Sequence, residues 1–161
     1  ADGQFQMKAV SPGKYSVGLM PVPEGTYVSE VRFGGQRMSD DELEIFPAGA
    51  AKLEIRLRPD AAQVEGTVHD TEGHAVPGAS VVLVPKSRRC RLFQSAITDQ
   101  NGVFNFRNIT PEDYVLLAMD EMELGIWLDP AFLKRYESKG EKVTLKENDR
   151  KGVALQLIPK N

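Results

Sequence analysis

The sequence has little of what disulfide-rich domains, membrane proteins and many enzymes depend on. Cys90 is the only cysteine among 161 residues, which excludes an intramolecular disulfide and a cysteine-rich zinc site. No apolar run approaches the roughly 20 residues of a membrane-spanning helix, so no membrane span is expected. The sequence also has no Gly-x-Ser-x-Gly motif, phosphate loop or zinc signature. The protein is therefore predicted not to be an enzyme, and no cofactor is expected.

Concentrated positive charge is missing as well. The formal net charge is −3 and the isoelectric point is about 5.5, whereas binding to nucleic-acid phosphates needs a concentrated positive face. The one basic run, residues 86–91, is short and has no interleaved aromatic residues on which bases could stack. We interpret this run as a solvated loop, and no nucleic-acid partner is expected.

Two stretches of the chain resemble each other at a spacing of about 100 residues. Residues 5–15 align with residues 104–114 at an offset of 99, and residues 53–59 align with residues 153–159 at an offset of 100. Phenylalanine, proline and tyrosine recur at equivalent positions. The chain is therefore expected to open partway through one copy, as a mature fragment or an excised piece of a longer protein.

This repeat predicts two domains. Residues 1–59 are predicted to be an N-terminally truncated copy of a β-sandwich, and residues 60–161 a complete copy. The truncated copy lacks counterparts of residues 63–70 and 79–98, and half a sandwich leaves an apolar face and open strand edges. We therefore expect residues 1–59 to pack against the second domain or to find the missing strands on another chain.

The second copy reads as an all-β domain. Short alternating or continuously apolar runs are separated by Gly, Pro, Asp and Asn turns, which is typical of a sandwich. A Phe-x-Phe spacing, with Phe5 and Met7 matching Phe104 and Phe106, predicts two side chains on the buried face of a strand in each copy. The predicted strands are 64–69, 79–84, 92–98, 104–109, 114–119, 142–145 and 153–158.

One segment departs from the β pattern. Asp129 is placed as a helix N-cap, Pro130 stands at the first helical position, and basic residues precede Tyr136. Gly140 is suited to end the helix. The predicted fold is therefore a seven-stranded Greek-key β-sandwich with one short helix, preceded by a partial repeat of the same fold.

The turn and core residues resemble a known family. Residues 66–81 resemble the opening signature of carboxypeptidase regulatory-like domains, and residues 98–104, followed by Pro111 and Tyr114, resemble their second signature. The resemblance implies a prealbumin-like (transthyretin-like) sandwich, related to starch-binding-like folds. It also implies an extracytoplasmic bacterial protein (periplasmic, secreted or on the cell surface) in which the domain is a scaffold or binding module.

His69 and His74 flank the predicted turn at residues 70–73. Across a tight hairpin they could hold a metal ion together with Asp70 or Glu72, whereas the alternative is two polar residues on an exposed hairpin tip. Acidic residues at 40–44 and 120–129 offer further carboxylates, which we interpret as solvated loops.

Trp127, Phe132 and Tyr136 form the most distinctive aromatic group. Sugar-binding sandwiches use exposed rings as stacking platforms, which makes these three residues candidates for glycan binding. The alternative is that residues 126–128 pack in the core between the helix and the sheet and hold the helix in place.

The function predicted from the sequence is a non-catalytic structural or interaction module of a larger bacterial surface or secreted protein. The alternative is a carbohydrate-binding module that uses exposed aromatic residues around Trp127. The expected partners are other domains of the parent protein or a second copy of the chain, and a glycan under the alternative.

Overall fold

The computed structural model describes residues 3–38, 42–47 and 51–159. We refer to residues 3–58 as the N-terminal region and to residues 60–159 as the C-terminal region. The described residues are nearly all β-strands and turns, and no helix among them is long and apolar enough to cross a membrane.

The N-terminal region contains two small antiparallel sheets. One pairs β1 with β4, and the other has the order β3-β2-β5. The side chains that share their core include Val17, Val28, Val31 and Leu43. The strands are β1 Gly13–Ser16, β2 Tyr27–Phe33, β3 Gln36–Arg37, β4 Glu42–Ile45 and β5 Leu53–Arg58.

The C-terminal region is a sandwich of two larger sheets. One has the order β11-β10-β7-β8 and the other the order β12-β6-β9. The predicted all-β sandwich is thereby confirmed. Only the pairing of β12 with β6 is parallel among the described ladders. The strands are β6 Ala62–His69, β7 Ser80–Pro85, β8 Gln94–Ile97, β9 Val103–Ile109, β10 Asp113–Met119, β11 Glu141–Thr144 and β12 Arg150–Gln156.

Strand β6 shows how alternation in the sequence becomes a core. Its residues alternate between the sandwich interior and the outer face, and Val64 and Val68 are fully buried. Gly66 lies between them, beneath the ring of Phe104. A Cβ atom at Gly66 would lie 2.7 Å from Cζ of Phe104 and against the carbonyl of Val153. Glycine is therefore required here for the close packing of β6 against its neighbours.

Strands β7 and β10 are buried on both faces. Their inner side chains belong to the core between the sheets. Their outer side chains, among them Val84 and Leu117, form a second core with Leu133 and Tyr136 of helix α1, Pro130–Tyr136. This helix covers the outer face of the four-stranded sheet. Both strands therefore read as continuous apolar runs rather than as alternating ones.

One strand pair in each region has the same register: β1 with β4, and β10 with β11. Tyr15 of β1 lies opposite Leu43 of β4, and Tyr114 of β10 lies opposite Val143 of β11. Each tyrosine hydroxyl donates a hydrogen bond of 2.7 Å to the backbone carbonyl four residues earlier. This local bond fixes the turn that leads into the strand, as in the tyrosine corner of other sandwiches.

Two backbone conformations also recur at equivalent positions. Gly3 and Gly102 have φ angles of 73° and 72°, and Ala9 and Asn108 have φ angles of 56° and 54°. Left-handed backbone is uncommon for a residue other than glycine. The same left-handed conformation at aligned positions agrees with the predicted repeat. The repeat itself stays a prediction.

Residues 4–12 form no strand, although their counterparts form β9. Phe5 is 57% exposed and Met7 is 70% exposed, whereas Phe104 and Phe106 are each 2% exposed. The prediction of buried strand side chains is therefore wrong for Phe5 and Met7. The reason is that β9 pairs with β6, and the N-terminal region has no described strand in that place.

Candidate functional site

Helix α1 is positioned by its first turn and by its apolar face. The side chain of Asp129 accepts a hydrogen bond of 2.8 Å from the backbone N–H of Ala131, and Pro130 occupies the first turn. Leu133 and Tyr136, three residues apart on one face, pack on the sheet. The predicted helix start is confirmed at this cap.

The three predicted aromatic residues have different surroundings. Trp127 and Phe132 are half-buried and pack against the core beneath the helix, whereas Tyr136 is only 5% exposed. The rings of Phe132 and Tyr136 lie 4.9 Å apart between centroids. The expectation of an exposed platform is therefore wrong for Tyr136, whose ring packs between the helix and the sheet. Glycan binding by Trp127 and Phe132 stays a prediction.

A pocket of about 410 Å³ opens beside α1. Phe132, Tyr136 and Met122 contribute to its apolar wall, and its charged lining residues are Glu121, Glu123, Asp129 and Arg135. The guanidinium carbon of Arg135 lies 5.3 Å from the ring centroid of Tyr136. An apolar wall together with charged lining residues suits a polar ligand that has one apolar face.

The histidines do not face each other across the hairpin. His69 lies opposite Ala75, whereas Asp70 accepts both the backbone N–H and the ring Nδ1 of His74, at 2.9 and 3.3 Å. The ring of His69 turns to Thr67, with 2.8 Å between Nε2 and Oγ1. The two imidazoles are therefore held separately, which does not support the predicted metal pair.

Asp70 organises the tip of this hairpin. The pKa of its carboxyl is lowered, chiefly by the hydrogen bond from the backbone N–H of His74 and further by that of Glu72. Within the described ranges no three His, Cys, Asp or Glu side chains group in a way that could hold a metal ion. Of the acidic residues at 40–44, Asp40 and Asp41 lie outside the described residues.

Asn108 connects the N-terminal and C-terminal regions. Its side-chain oxygen accepts a hydrogen bond of 2.9 Å from the backbone N–H of Gly25, and its side-chain nitrogen donates one of 3.2 Å to the carbonyl of Val22. The carbonyl of Gly25 in turn accepts a hydrogen bond of 3.2 Å from Ala61. We call these contacts the Asn108 latch, because one amide satisfies two backbone groups of a distant loop.

Further polar contacts support the latch. Glu147 receives a hydrogen bond of 3.5 Å from the hydroxyl of Tyr27 and an ion pair of 3.1 Å from Arg58. Burial is the main reason why the pKa of Tyr27 is raised. Arg91 donates a hydrogen bond of 2.9 Å to the carbonyl of Val28. The interface between the regions thus combines backbone hydrogen bonds with an exposed ion pair.

The sequence did not indicate the latch. Asn108 and Gly25 are 83 residues apart, and no local spacing rule connects them. A signal was present in the residue type, since asparagine tolerates left-handed backbone better than most residues. Asn108 adopts that conformation at the end of β9, and it thereby aims its amide at residues 22–25.

These features define the described chain as a β-sandwich that is joined by polar contacts to two smaller β-sheets. The family model of the carboxypeptidase regulatory-like domain matches residues 63–122. The match spans most of β6 and all of β7 to β10, and it confirms the resemblance to this family seen in the sequence. Among curated proteins, none matches this chain.

Several solved structures are similar to the chain at low sequence identity. A candidate carbohydrate binding protein from Pseudomonas aeruginosa is 17% identical, with 60% of this chain and 88% of that chain covered and a TM-score of 0.39. The major pilin subunit of Bacillus cereus is 13% identical, with 82% and 56% covered and a TM-score of 0.44. A candidate carbohydrate binding protein from Bacteroides uniformis is 12% identical, with 62% and 41% covered and a TM-score of 0.39.

Proposed function

We propose that the chain is a non-catalytic structural and interaction module of a larger bacterial protein that is secreted or displayed on the cell surface. The Asn108 latch is the observation that carries this proposal. Its side-chain amide bonds two backbone groups of the loop at residues 22–25, and the carbonyl of Gly25 accepts a hydrogen bond from the backbone of Ala61, so the two β units are in contact beyond the chain that connects them. Hydrogen bonds that satisfy backbone groups of a distant loop favour one arrangement of the two units, which suits a module that connects neighbouring parts of a protein.

The absence of catalytic activity is part of the proposal. Thr67 and His69 form the contact that most resembles a nucleophile and a base, at 2.8 Å. The other ring nitrogen of His69 lies 3.2 Å from the carbonyl of Gly73, whereas the known triads orient this nitrogen with a carboxylate or amide side chain. We therefore interpret the contact as a structural hydrogen bond on the sheet surface.

The variant Asn108→Gly tests the proposed joint. Glycine keeps the left-handed backbone but removes both latch hydrogen bonds. We expect faster proteolytic cleavage near residues 59–61 and a separate unfolding step for the N-terminal region. The exposed residue Asn105 on the same strand provides the control variant Asn105→Ala. Unchanged cleavage and unfolding in Asn108→Gly would contradict the joint, and turnover of chromogenic ester, glycoside or peptide substrates would contradict the lack of catalysis.

A second candidate function is carbohydrate binding at the pocket beside α1. The half-buried ring of Phe132 and the charged groups of Glu121 and Arg135 favour it. We expect a binding glycan to change the fluorescence of Trp127 and the variant Phe132→Ala to abolish the change. Leu124, which is 88% exposed and does not line the pocket, offers the control Leu124→Ala. Unchanged fluorescence across a glycan panel would contradict this candidate.

A further inference from the structure

A groove of about 470 Å³ lies on the outer face of the three-stranded sheet β12-β6-β9. Helix α1 covers the other sheet, so the groove and the helix are on opposite sides of the sandwich. The strand register places Gly152 beside Glu65 and Glu65 beside Asn105, in one row across the sheet. Arg150 lies beside Gln63 in a neighbouring row. We call the site lined by these five residues the β12 groove.

Gly152 keeps the middle of the β12 groove open. Glycine within a strand marks a bulge, a bend or a place where a ligand approaches closely, and it costs conformational entropy on folding. The ladder of β12 with β6 has no register shift, and the φ angle of Gly152 is not left-handed. A Cβ atom there would meet no atom within 4 Å beyond its chain neighbours. The fold therefore does not require this glycine, whereas an open groove does.

The β12 groove offers hydrogen-bonding groups and almost no apolar surface. Gln63 and Asn105 supply amides that both donate and accept, and the carboxylate of Glu65 accepts. No aromatic ring is among the described residues that line the groove. Protein partners depend on aromatic and other apolar anchors, whereas a saccharide presents hydroxyl groups that each donate and accept. The lining therefore favours a saccharide that is held by hydrogen bonds rather than by stacking.

The charges in the groove select among saccharides. Lys151 already contacts the carbonyl of Thr144 and lies 3.9 Å from a carboxylate oxygen of Asp149. Arg150 is exposed, and over the described ranges of the chain its guanidinium makes no ion pair. A guanidinium binds a carboxylate through two parallel hydrogen bonds. The available cation therefore favours a sugar that carries a carboxylate.

We propose that the β12 groove binds an acidic saccharide of the uronic acid class. Arg150 binds the carboxylate of the sugar, while Gln63, Glu65 and Asn105 bind its hydroxyl groups. The sugar ring lies over Gly152, where any side chain would take its place. This site goes beyond the proposed role as a structural module, and it is separate from the pocket beside α1.

Two matched sugars test the proposal. An oligomer of galacturonic acid carries carboxylates, and its methyl ester keeps the same rings and hydroxyl groups without the charge. Nuclear magnetic resonance titration of the nitrogen-15-labelled full chain measures both affinities and locates the contact residues. We expect the acid to bind at least about fivefold more tightly than the ester, with a smaller preference at high salt. Chemical shifts should change mainly at residues 63–67, 103–105 and 150–153.

The variant Gly152→Leu tests the position of the site. Its side chain fills the groove, so binding of the acid should weaken by about tenfold or more. Ala154 is exposed two residues further along the same face of β12 and does not line the groove. The control Ala154→Leu should therefore bind like the parent chain. Both variants should keep the melting temperature of the parent, because each new side chain points to solvent.

The variant Arg150→Gln tests the charge and leaves every glycine in place. It should bind the acid and the ester equally, because the carboxylate loses its guanidinium partner. Lys142 is exposed on β11, in the other sheet. The control Lys142→Gln should keep the preference for the acid.

Four results would overturn the proposal. They are no binding of either sugar, equal binding of acid and ester by the parent chain, parent-like binding by Gly152→Leu, and shift changes confined to residues around α1. The last result would assign sugar binding to the pocket beside α1 instead. None of the four affects the result of Asn108→Gly, so failure of this proposal is distinguishable from failure of the proposed function.

Discussion

Phe5 and Phe104 occupy aligned positions of the predicted repeat in the N-terminal and C-terminal regions, yet they are 57% and 2% exposed. The preceding glycines share a left-handed φ angle, and the following tyrosines make the same hydrogen bond. The local conformation is thus alike, while the burial is not. The comparison teaches that the recurring pattern of residues 5–15 and 104–114 determines turns and strand register. Whether the side chains of this pattern form a core depends on the strands beside them.

The outer faces of β1 and β10 differ for a related reason. Helix α1 covers β10, so that Val115 and Leu117 pack in a second core. The residues equivalent to them, Ser16 and Gly18, are exposed. At the offset of 99, the positions of α1 correspond to residues 31–37, which form the end of β2 and β3 instead, and β2 pairs with β5. Among the described residues, a similar pattern of turns therefore leads to a helix-covered sheet in one region and to a two-stranded sheet without a covering helix in the other.

The largest expected effect separates the two phenylalanines. Phe104→Ala should lower the free energy of unfolding by about 3–5 kcal/mol, because it leaves a cavity between the sheets. Phe5→Ala should change it by less than about 0.5 kcal/mol, because the ring is already in water. Urea unfolding of both variants checks this difference. Equal losses would mean that Phe5 is buried in solution.

The next prediction concerns two glycines on neighbouring strands. Gly66→Ala should cost about 1–3 kcal/mol, because its Cβ would meet the Phe104 ring and the Val153 carbonyl. A Cβ atom at Gly152 on β12 would meet no atom within 4 Å beyond its chain neighbours, so Gly152→Ala should be neutral or slightly stabilising. Urea denaturation measures both. A neutral Gly66→Ala would show that the Phe104 ring and β12 can move away from β6 at little cost.

A smaller effect is expected at the two tyrosines. Tyr114→Phe removes the hydroxyl that donates to the carbonyl of Thr110 in a partly buried site, and the expected cost is about 1 kcal/mol. Tyr15→Phe removes the equivalent bond to Ser11 at an exposed site, where water replaces the donor. Its expected cost is below about 0.5 kcal/mol. Thermal melts of the pair test this, and a larger cost at Tyr15 would reverse the comparison.

The smallest effect concerns acid stability at Asp113, whose counterpart is Lys14. Hydrogen bonds from Thr144 and then from Lys86 hold the pKa of Asp113 below its ordinary value. Its contribution is therefore present above the unfolded-state pKa and is lost as the pH falls through the folded-state pKa. Between about pH 5 and 3, the melting temperature of Asp113→Asn should fall less than that of the parent chain. The exposed control Asp120→Asn should follow the parent, and identical curves for all three would contradict the assignment.

Much of the C-terminal fold could be predicted from the sequence. The run at 79–84 corresponds to β7, Ser80–Pro85, and the run at 114–119 to β10, Asp113–Met119. The turn at Asp99 was predictable because its carboxylate accepts the backbone N–H groups of Asn101 and Val103, at 2.8 and 2.9 Å. These features depend on residues that are close in the chain, which is why pattern and composition suffice.

The features that escaped prediction depend on distant contacts. Residues 4–12 carry a strand pattern, but no described strand pairs with them. Tyr136 was a candidate for the aromatic platform, with core packing of this group as the alternative, and it becomes core because α1 lies on β7 and β10. The Asn108 latch depends on where the loop at residues 22–25 packs. Patterns within one segment contain no information on which other segment will cover it.

Native-state hydrogen exchange of the backbone amides tests the central comparison most directly. The amides of β10 lie between two paired strands, whereas β1 is paired on one edge only within the part of the chain that the structure describes. We predict that the amides of residues 113–119 exchange only through global unfolding, and that those of residues 14–20 include a set that exchanges many times faster through local opening. Equal protection of the two segments would contradict the open edge of β1 and the account built on it.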